Sequence, residues 1–427
     1  MITAGATALV GYWVAVTAPV LAGGAPSADA APSDRPAAAA ALVTPTTQEG
    51  GPIVDALGRV EWSLGCAEGT SAADLDAFFA QRRGPLLGWD NPHVYELGPD
   101  RWLWLIHDTY LDHRWAQRPD AAVGLLDDGP QIQNAAMVQE GACFTLLHRG
   151  TPDRRRNFEP GAGQDGPDRF LWPLGGEVHD GRLLVLWSEM ERSSPPPRPG
   201  NGIVRHPVRT WLAEYDPTTL ERRRFEPAPN DGVDPIWGFA VASDDEATYL
   251  FGNTNLLNFD REGGWWEGPH SATRMYVAKV DRGRLDQVPT YWDGEGWSGD
   301  PADAAVVSER FWTENTMQPR HVDGRWLSIV KEDGFDGDEL WLETAEDPWG
   351  PWTVVERRPY AARPADVATN TYQPIVLPRS SPDTGVQVVV SQNAVTWRDA
   401  VAVPARYRPG ATSFEWPGDG ASGGDQR

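Results

Sequence analysis

The stretch WTENTMQPRHVDGRWLSIVKED, Trp312 to Asp333, decides how this chain is read. Met317 to Val322 alternates apolar and polar residues, Asp323-Gly324 supplies a tight turn, and Arg325 to Val330 runs back, which is the signature of a β-hairpin. In a hairpin the residues before the first strand and after the second lie at one end. Glu314, Asn315 and Gln318 are therefore expected near Lys331, Glu332 and Asp333.

The pattern recurs at His93 to Tyr110, Gly175 to Met190, Gly238 to Thr254 and Gln373 to Asn393, making five hairpins in all. Each precedes a second strand pair: NAAMVQEGACFTLLHR, TWLAEYDPTTLERRRF, MYVAKVDRGRLDQVPTYW, LWLETAEDPWGPWTVVERR and DAVAVPARYRPGATSFEW. Turn residues Asp100, Asp180, Asp244, Asp323 and Asp383 mark intervals of 80, 64, 79 and 60 residues, so the spacing is loose while the order of parts is constant. Four strands per unit is the blade of a β-propeller, and the expectation is an all-β, five-bladed propeller of four-stranded antiparallel blades over residues 51–418. A two-sheet sandwich is the competing architecture, but it would not predict hairpin pairs repeating in this order. Val60-Glu61-Trp62 is the candidate for the strand that closes the ring against the last blade. Ser71 to Arg83 reads as a short helix, capped by Ser71 with Asp74 three residues on.

Composition agrees with many short strands joined by turns, since the 427 residues include 21 Trp, 44 Gly and 38 Pro. A net charge of −24 argues against nucleic acid as a partner. Residues 2–24 are apolar and small, Ala28-Asp29-Ala30 offers a cleavage motif that closes a segment 1–30, and 31–50 is a Pro/Ala-rich linker. That reads as a secretory signal, or as an uncleaved anchor because no Lys or Arg precedes Arg35. The expected location is outside the cell or at its envelope, with 419–427 as a disordered tail and the chain a monomer. Cys66 and Cys143 then fit one disulfide.

The eight histidines show no ligand spacing, and no P-loop or G-x-S-x-G elbow occurs. No cofactor and no catalytic metal are expected. Asp333 to Glu339, DGFDGDE, is read as a solvated turn with room for a structural Ca2+.

WDNPHVYELG (Trp89 to Gly98), the Asp-Gly-Arg turns at Asp180 and Asp323, and TAEDPWGPW (Thr344 to Trp352) resemble the five-bladed propeller glycoside hydrolases that cleave furanosides and xylosides. MYVAKV (Met275 to Val280), YWDGEGW (Tyr291 to Trp297) and TYQPIVLP (Thr371 to Pro378) are similar to the exported domain-of-unknown-function 4185 proteins, some of which are endo-acting arabinanases. The resemblance implies a blade-one Asp as base, a blade-four Glu as acid and a blade-three Asp that tunes the acid. On this chain it points to Asp90 as base or nucleophile and Glu314 as proton donor. No motif fixes the third role, for which Asp234 is the nearest acid.

The residues themselves support a search at the same end of the fold. Glycosidic hydrolysis needs one protonated carboxyl and one ionised carboxylate, and crowding of carboxyls in a partly dry channel separates their ionisation. Asp108, from the same hairpin as Asp90, is the alternative partner. Trp172, Trp237 and Tyr372 are candidate sugar platforms, and Glu189, Asn253, Gln318, Gln373 and Asn393 are candidate polar contacts. Each has a plainer reading: Asp90 as a turn cap, Glu314 as a solvated loop charge, Glu189 as an arginine partner and any single Trp as core. The expected function is hydrolysis of a polysaccharide, with arabinan first. A non-catalytic carbohydrate-binding or envelope propeller is the alternative, and a protein-interaction propeller is weaker because WD and kelch signatures are missing.

Overall fold

The computed structural model describes residues 51–112, 114–115, 131–161, 168–193, 204–253, 273–310, 318–332, 337–363, 369–394 and 403–418. Their strands pair antiparallel in five sheets laid out in chain order. The first runs from Ile53–Val54 and Arg59–Cys66 through Cys143–Thr151 and Gln131–Glu140 to Arg101–Leu111, which carries both Leu86–Gly88 and His93–Gly98 on its inner edge; Arg154–Arg156 adds to Cys143–Thr151. From the inner strand outward, the second is Arg169–His179, Arg182–Ser193, Val204–Tyr215 and Arg222–Pro227. The third is Ile236–Ser243, Ala247–Asn253, Thr273–Asp281, Thr290–Trp292 and Trp297–Ser298, with Ser308–Arg310 beside Thr273–Asp281. The fourth is Arg320–Val322, Arg325–Lys331, Glu339–Ala345 and Thr353–Pro359, and the last is Thr369–Val376, Val386–Ala394 and Gly410–Phe414.

The arrangement is a β-propeller, because each sheet buries its two faces against two different neighbours. On Arg101–Leu111, Trp102, Trp104 and Ile106 pack with the helix and the last sheet, whereas Leu103 and Leu105 pack on the second sheet. A period of two thus serves both faces, and the strand is buried almost throughout. The other contacts repeat the logic: Leu184, Leu186 and Leu212 meet Phe239 and Leu250, Tyr249 and Phe251 meet Trp326, and Leu327 and Leu342 meet Val388 and Phe414. Close approach at the axis explains Gly175 and Gly176, where a Cβ would stand 2.4 Å from the Val241 nitrogen and 2.4 Å from the Leu184 carbonyl oxygen respectively.

The hairpins predicted from the Asp-Gly turns are present, with positive φ at both central residues of Asp180-Gly181 (48° and 70°) and Asp323-Gly324 (50° and 71°). The expected count of five four-stranded blades is corrected, because four blades are complete and the last sheet holds three strands among the described residues. Pro404–Tyr407, where an outer strand was expected, is a 3-10 turn with proline at its start, a residue that brings no N–H to a ladder.

Val60-Glu61-Trp62 is corrected as well. It pairs with His148, Leu147 and Leu146 of the first sheet, not with the last. The helix fills that seam instead. It spans Ala72–Ala80, with Ser71 Oγ accepting from the Asp74 N–H at 3.2 Å and the Asp74 carboxylate accepting from the Ser71 N–H at 3.1 Å. Asp76 then accepts from the Ala411 N–H at 2.8 Å and pairs with Arg363 at 3.0 Å. Cys66 and Cys143 form the disulfide across directly paired strands.

His148 is fully buried in the first sheet, accepting from Trp62 Nε1 at 3.2 Å while its Nδ1 donates to the Arg149 carbonyl at 2.8 Å. Burial brings its pKa down to about 4. His93 is pushed down as well, by burial first and then by His107 and Arg320. The native state refuses protons that the unfolded chain takes up below pH 6.5, so the stabilisation is complete above that value and is lost as pH falls towards 4. The loss from His148 alone is about 3 kcal/mol. Urea unfolding at pH 7 and at pH 4.5 checks this, and equal stability at the two would contradict it.

Candidate active site

The inner strands begin, and their partners end, at one side of the ring. Register fixes this: Glu189 lies opposite Leu171, Asn253 opposite Ile236, Ser391 opposite Tyr372 and Asn393 opposite Asn370. Five side chains converge here, each from a different element of the chain.

Asp90 sits in the short link between Leu86–Gly88 and His93–Gly98 and is 9% exposed. Its carbonyl accepts from the His107 N–H at 3.1 Å, and the Tyr372 hydroxyl donates to its Oδ2. Asn91 turns the chain with a φ of 39°, and its N–H donates to Ser391 Oγ at 2.9 Å. Gln373, directly after Tyr372, has a φ of 44°. Left-handed backbone at non-glycine residues costs about 1–3 kcal/mol each and persists where surrounding contacts enforce it. Here both cases flank the same hydrogen bond.

Asp108, near the end of Arg101–Leu111, accepts from Trp172 Nε1 at 3.2 Å. Trp172 stacks on His107 at 4.9 Å, and His107 stacks on His93 at 5.6 Å. This aromatic wall runs from the carboxylate towards the axis. Tyr407, from the 3-10 turn, completes the group. Its phenol is raised well above the ordinary value, by burial first and then by Asp90, Tyr372, Asp108 and Tyr110. The Tyr407 ring stands edge-on to Tyr110 at 5.4 Å, and its carbonyl accepts from the Trp89 N–H at 2.7 Å. The site is two buried carboxyl groups among three phenols.

Below it, His93, Tyr95, Gly175, Val241, Gln318 and Arg320 line an axial cavity. Arg320 donates to the Val94 carbonyl at 2.6 Å and the Val376 carbonyl at 2.9 Å, which clamps the first, fourth and last sheets together. Burial lowers its pKa to about 10, so it stays cationic at neutral pH.

The structure brings together Asp90, Asp108, Trp172 and Tyr372 of the expected residues. Gln318 faces the axial cavity, whereas Gln373 lies beside Tyr372 in the strand; Asn253 is buried and Asn393 half-buried at the same end. Trp237, expected as a sugar platform, is fully buried and packs against Tyr291 at 4.9 Å. Glu189, expected as a sugar contact, accepts from Trp211 Nε1 at 2.7 Å and pairs with Arg169 at 3.4 Å. Asp234 is exposed just before the third inner strand. Glu314 lies outside the described residues, as does Asp333, the first residue of the proposed Ca2+ turn. Among the described residues no group of three His, Cys, Asp or Glu could hold a metal ion.

Sequence reasoning missed Tyr407, Tyr110 and His107. Tyr407 was inside a segment read as strand, and the two prolines of VPARYRP at 403–409 were the signal that could have exposed it as a turn.

The model of the family described as Domain of unknown function (DUF5005) matches residues 73–414, and it is this family, not domain-of-unknown-function 4185, that the chain fits. No curated protein matches. Among solved structures, a candidate hydrolase from Bacteroides ovatus ATCC 8483 is 13% identical over 84% of this chain and 92% of its own, with a TM-score of 0.51. A GH43 enzyme from Xanthomonas citri is 12% identical over 81% and 90%, with a TM-score of 0.41. The catalytic domain of a Coprinopsis cinerea GH62 alpha-L-arabinofuranosidase is 10% identical over 82% and 95%, also at 0.41. At 13% identity the likeness to the first of these is one of fold alone.

Proposed function

We propose that this chain, which belongs to the DUF5005 family, hydrolyses glycosidic bonds in a polysaccharide, an arabinan in the first instance. The observation that carries the reading is the burial of Asp90 and Asp108 beside the same phenol, Tyr407, at the end of the ring where inner strands begin. Acid and base catalysis at an anomeric carbon needs two carboxyls close together, one protonated and one ionised. Asp90 is the base or nucleophile. Glu314 is the proton donor, with Asp108 as its alternative, and Trp172 offers a ring against a sugar face.

The three-stranded sheet is read as a fifth blade, since it buries one face on the fourth sheet and the other on the first. The protein is read as exported, with residues 1–30 as signal or anchor and 31–50 as linker; the disulfide suits an oxidising compartment. It acts as a monomer on carbohydrate.

The second reading is a non-catalytic carbohydrate binder, favoured by the fact that both carboxylates already accept from aromatic donors. New reducing ends released from arabinan, xylan or galactan by the purified protein decide for the hydrolase. Retention of oligosaccharide without release decides for the binder.

A further inference from the structure

We infer that Tyr372 is a positioning residue for Asp90, reaching from the last sheet across the seam to the first to hold one carboxylate oxygen in place. The inference rests on the proposed role of Asp90 and adds a device that this role needs. Tyr372 is 5% exposed and its hydroxyl donates to Asp90 Oδ2. One residue further along, Asn91 is tied to Ser391, the register partner of Tyr372, at 2.9 Å. Asp90 and Asn91 are thus docked as a unit on one paired rung of the last sheet, although 282 residues separate Asp90 from Tyr372.

The Tyr372 hydroxyl, from the last sheet, donates to the Asp90 carboxylate, and the His107 N–H, from Arg101–Leu111, donates to its carbonyl. Tyr407, from the 3-10 turn, has Asp90, Tyr372, Asp108 and Tyr110 around its phenol. A phenolic hydrogen bond donated to a carboxylate favours its charged form. The same bond fixes the carboxyl rotamer, so the other oxygen keeps one direction. The left-handed backbone at Asn91 and Gln373 is the local cost of that alignment.

Tyr372→Phe removes the hydroxyl and leaves the ring. Expected are a fall in kcat of about tenfold, a KM within about twofold of the parent, and an acid limb of kcat/KM moved up by roughly one pH unit. Ser391→Ala, which cuts the neighbouring tie without touching the Asp90 carboxylate, should lower the melting temperature and leave the limb where it was. An unmoved limb in Tyr372→Phe overturns the inference. So does a Tyr372→Phe protein that does not fold, because the hydroxyl would then be holding the fold and not the carboxylate. Asp90→Asn separates the two levels. If that variant is fully active, the assignment of Asp90 fails; if it is inactive while Tyr372→Phe keeps the parent profile, only the positioning role fails.

Discussion

Asp90→Asn reduces the release of reducing ends by about a thousandfold while the protein stays folded. The amide has the shape of the carboxyl and can still accept from Tyr372, so the packing around it is kept. It cannot take up a proton from water or attack an anomeric carbon. The loss should therefore fall on kcat, with KM within about twofold and the melting temperature within a few degrees of the parent. Glu314→Gln should behave likewise if Glu314 donates the proton, and a full effect in Asp108→Asn with none in Glu314→Gln would pass that role to Asp108. Unchanged cleavage in Asp90→Asn contradicts the assignment outright.

Trp104→Ala costs about 3–5 kcal/mol of folding free energy. Trp104 is 1% exposed at the centre of the core that joins the first sheet, the helix and the last sheet. Its ring meets Phe79 at 5.7 Å, Phe144 at 5.9 Å and Trp89 at 6.4 Å, all edge-to-face. Its Nε1 donates to Gln139 Oε1 at 3.0 Å, an acceptor buried with it. Truncation leaves a cavity too confined to collapse and strips Gln139 of that donor. Because Trp89 directly precedes Asp90, activity at low temperature should fall too, but far less than in Asp90→Asn. Urea unfolding is the measurement, and a loss under about 1 kcal/mol would contradict this account of the seam.

The sequence carried the hairpins because they depend on local chemistry. Asp-Gly pairs between alternating runs, as at Asp180 and Asp323, specify a two-residue turn with little help from the rest of the chain. Asp90 and Tyr372 were placed at one end for a related reason, since Asp90 lies just before one inner strand and Tyr372 in the first half of another. Ring closure was not legible. Whether Val60 to Trp62 pairs with the first sheet or the last is a choice between non-local partners, and alternation is the same for either. Tyr407 was overlooked although Pro404 and Pro409 marked its segment as a turn; which groups its ring would meet depends on neighbours far along the chain, which spacing does not give. The surroundings of Glu189 and Trp237, with Arg169 and Trp211 beside one and Tyr291 beside the other, are not written in spacing.

The central claim is that the end of the ring bearing Asp90, Asp108, Trp172, Tyr372 and Tyr407 holds the bond to be cleaved. A crystal structure of Asp90→Asn soaked with an arabino-oligosaccharide tests it most directly. The account predicts a sugar ring against Trp172 with its anomeric carbon facing residue 90. An oligosaccharide bound only elsewhere, with no contact to Trp172 or residue 90, would contradict the account.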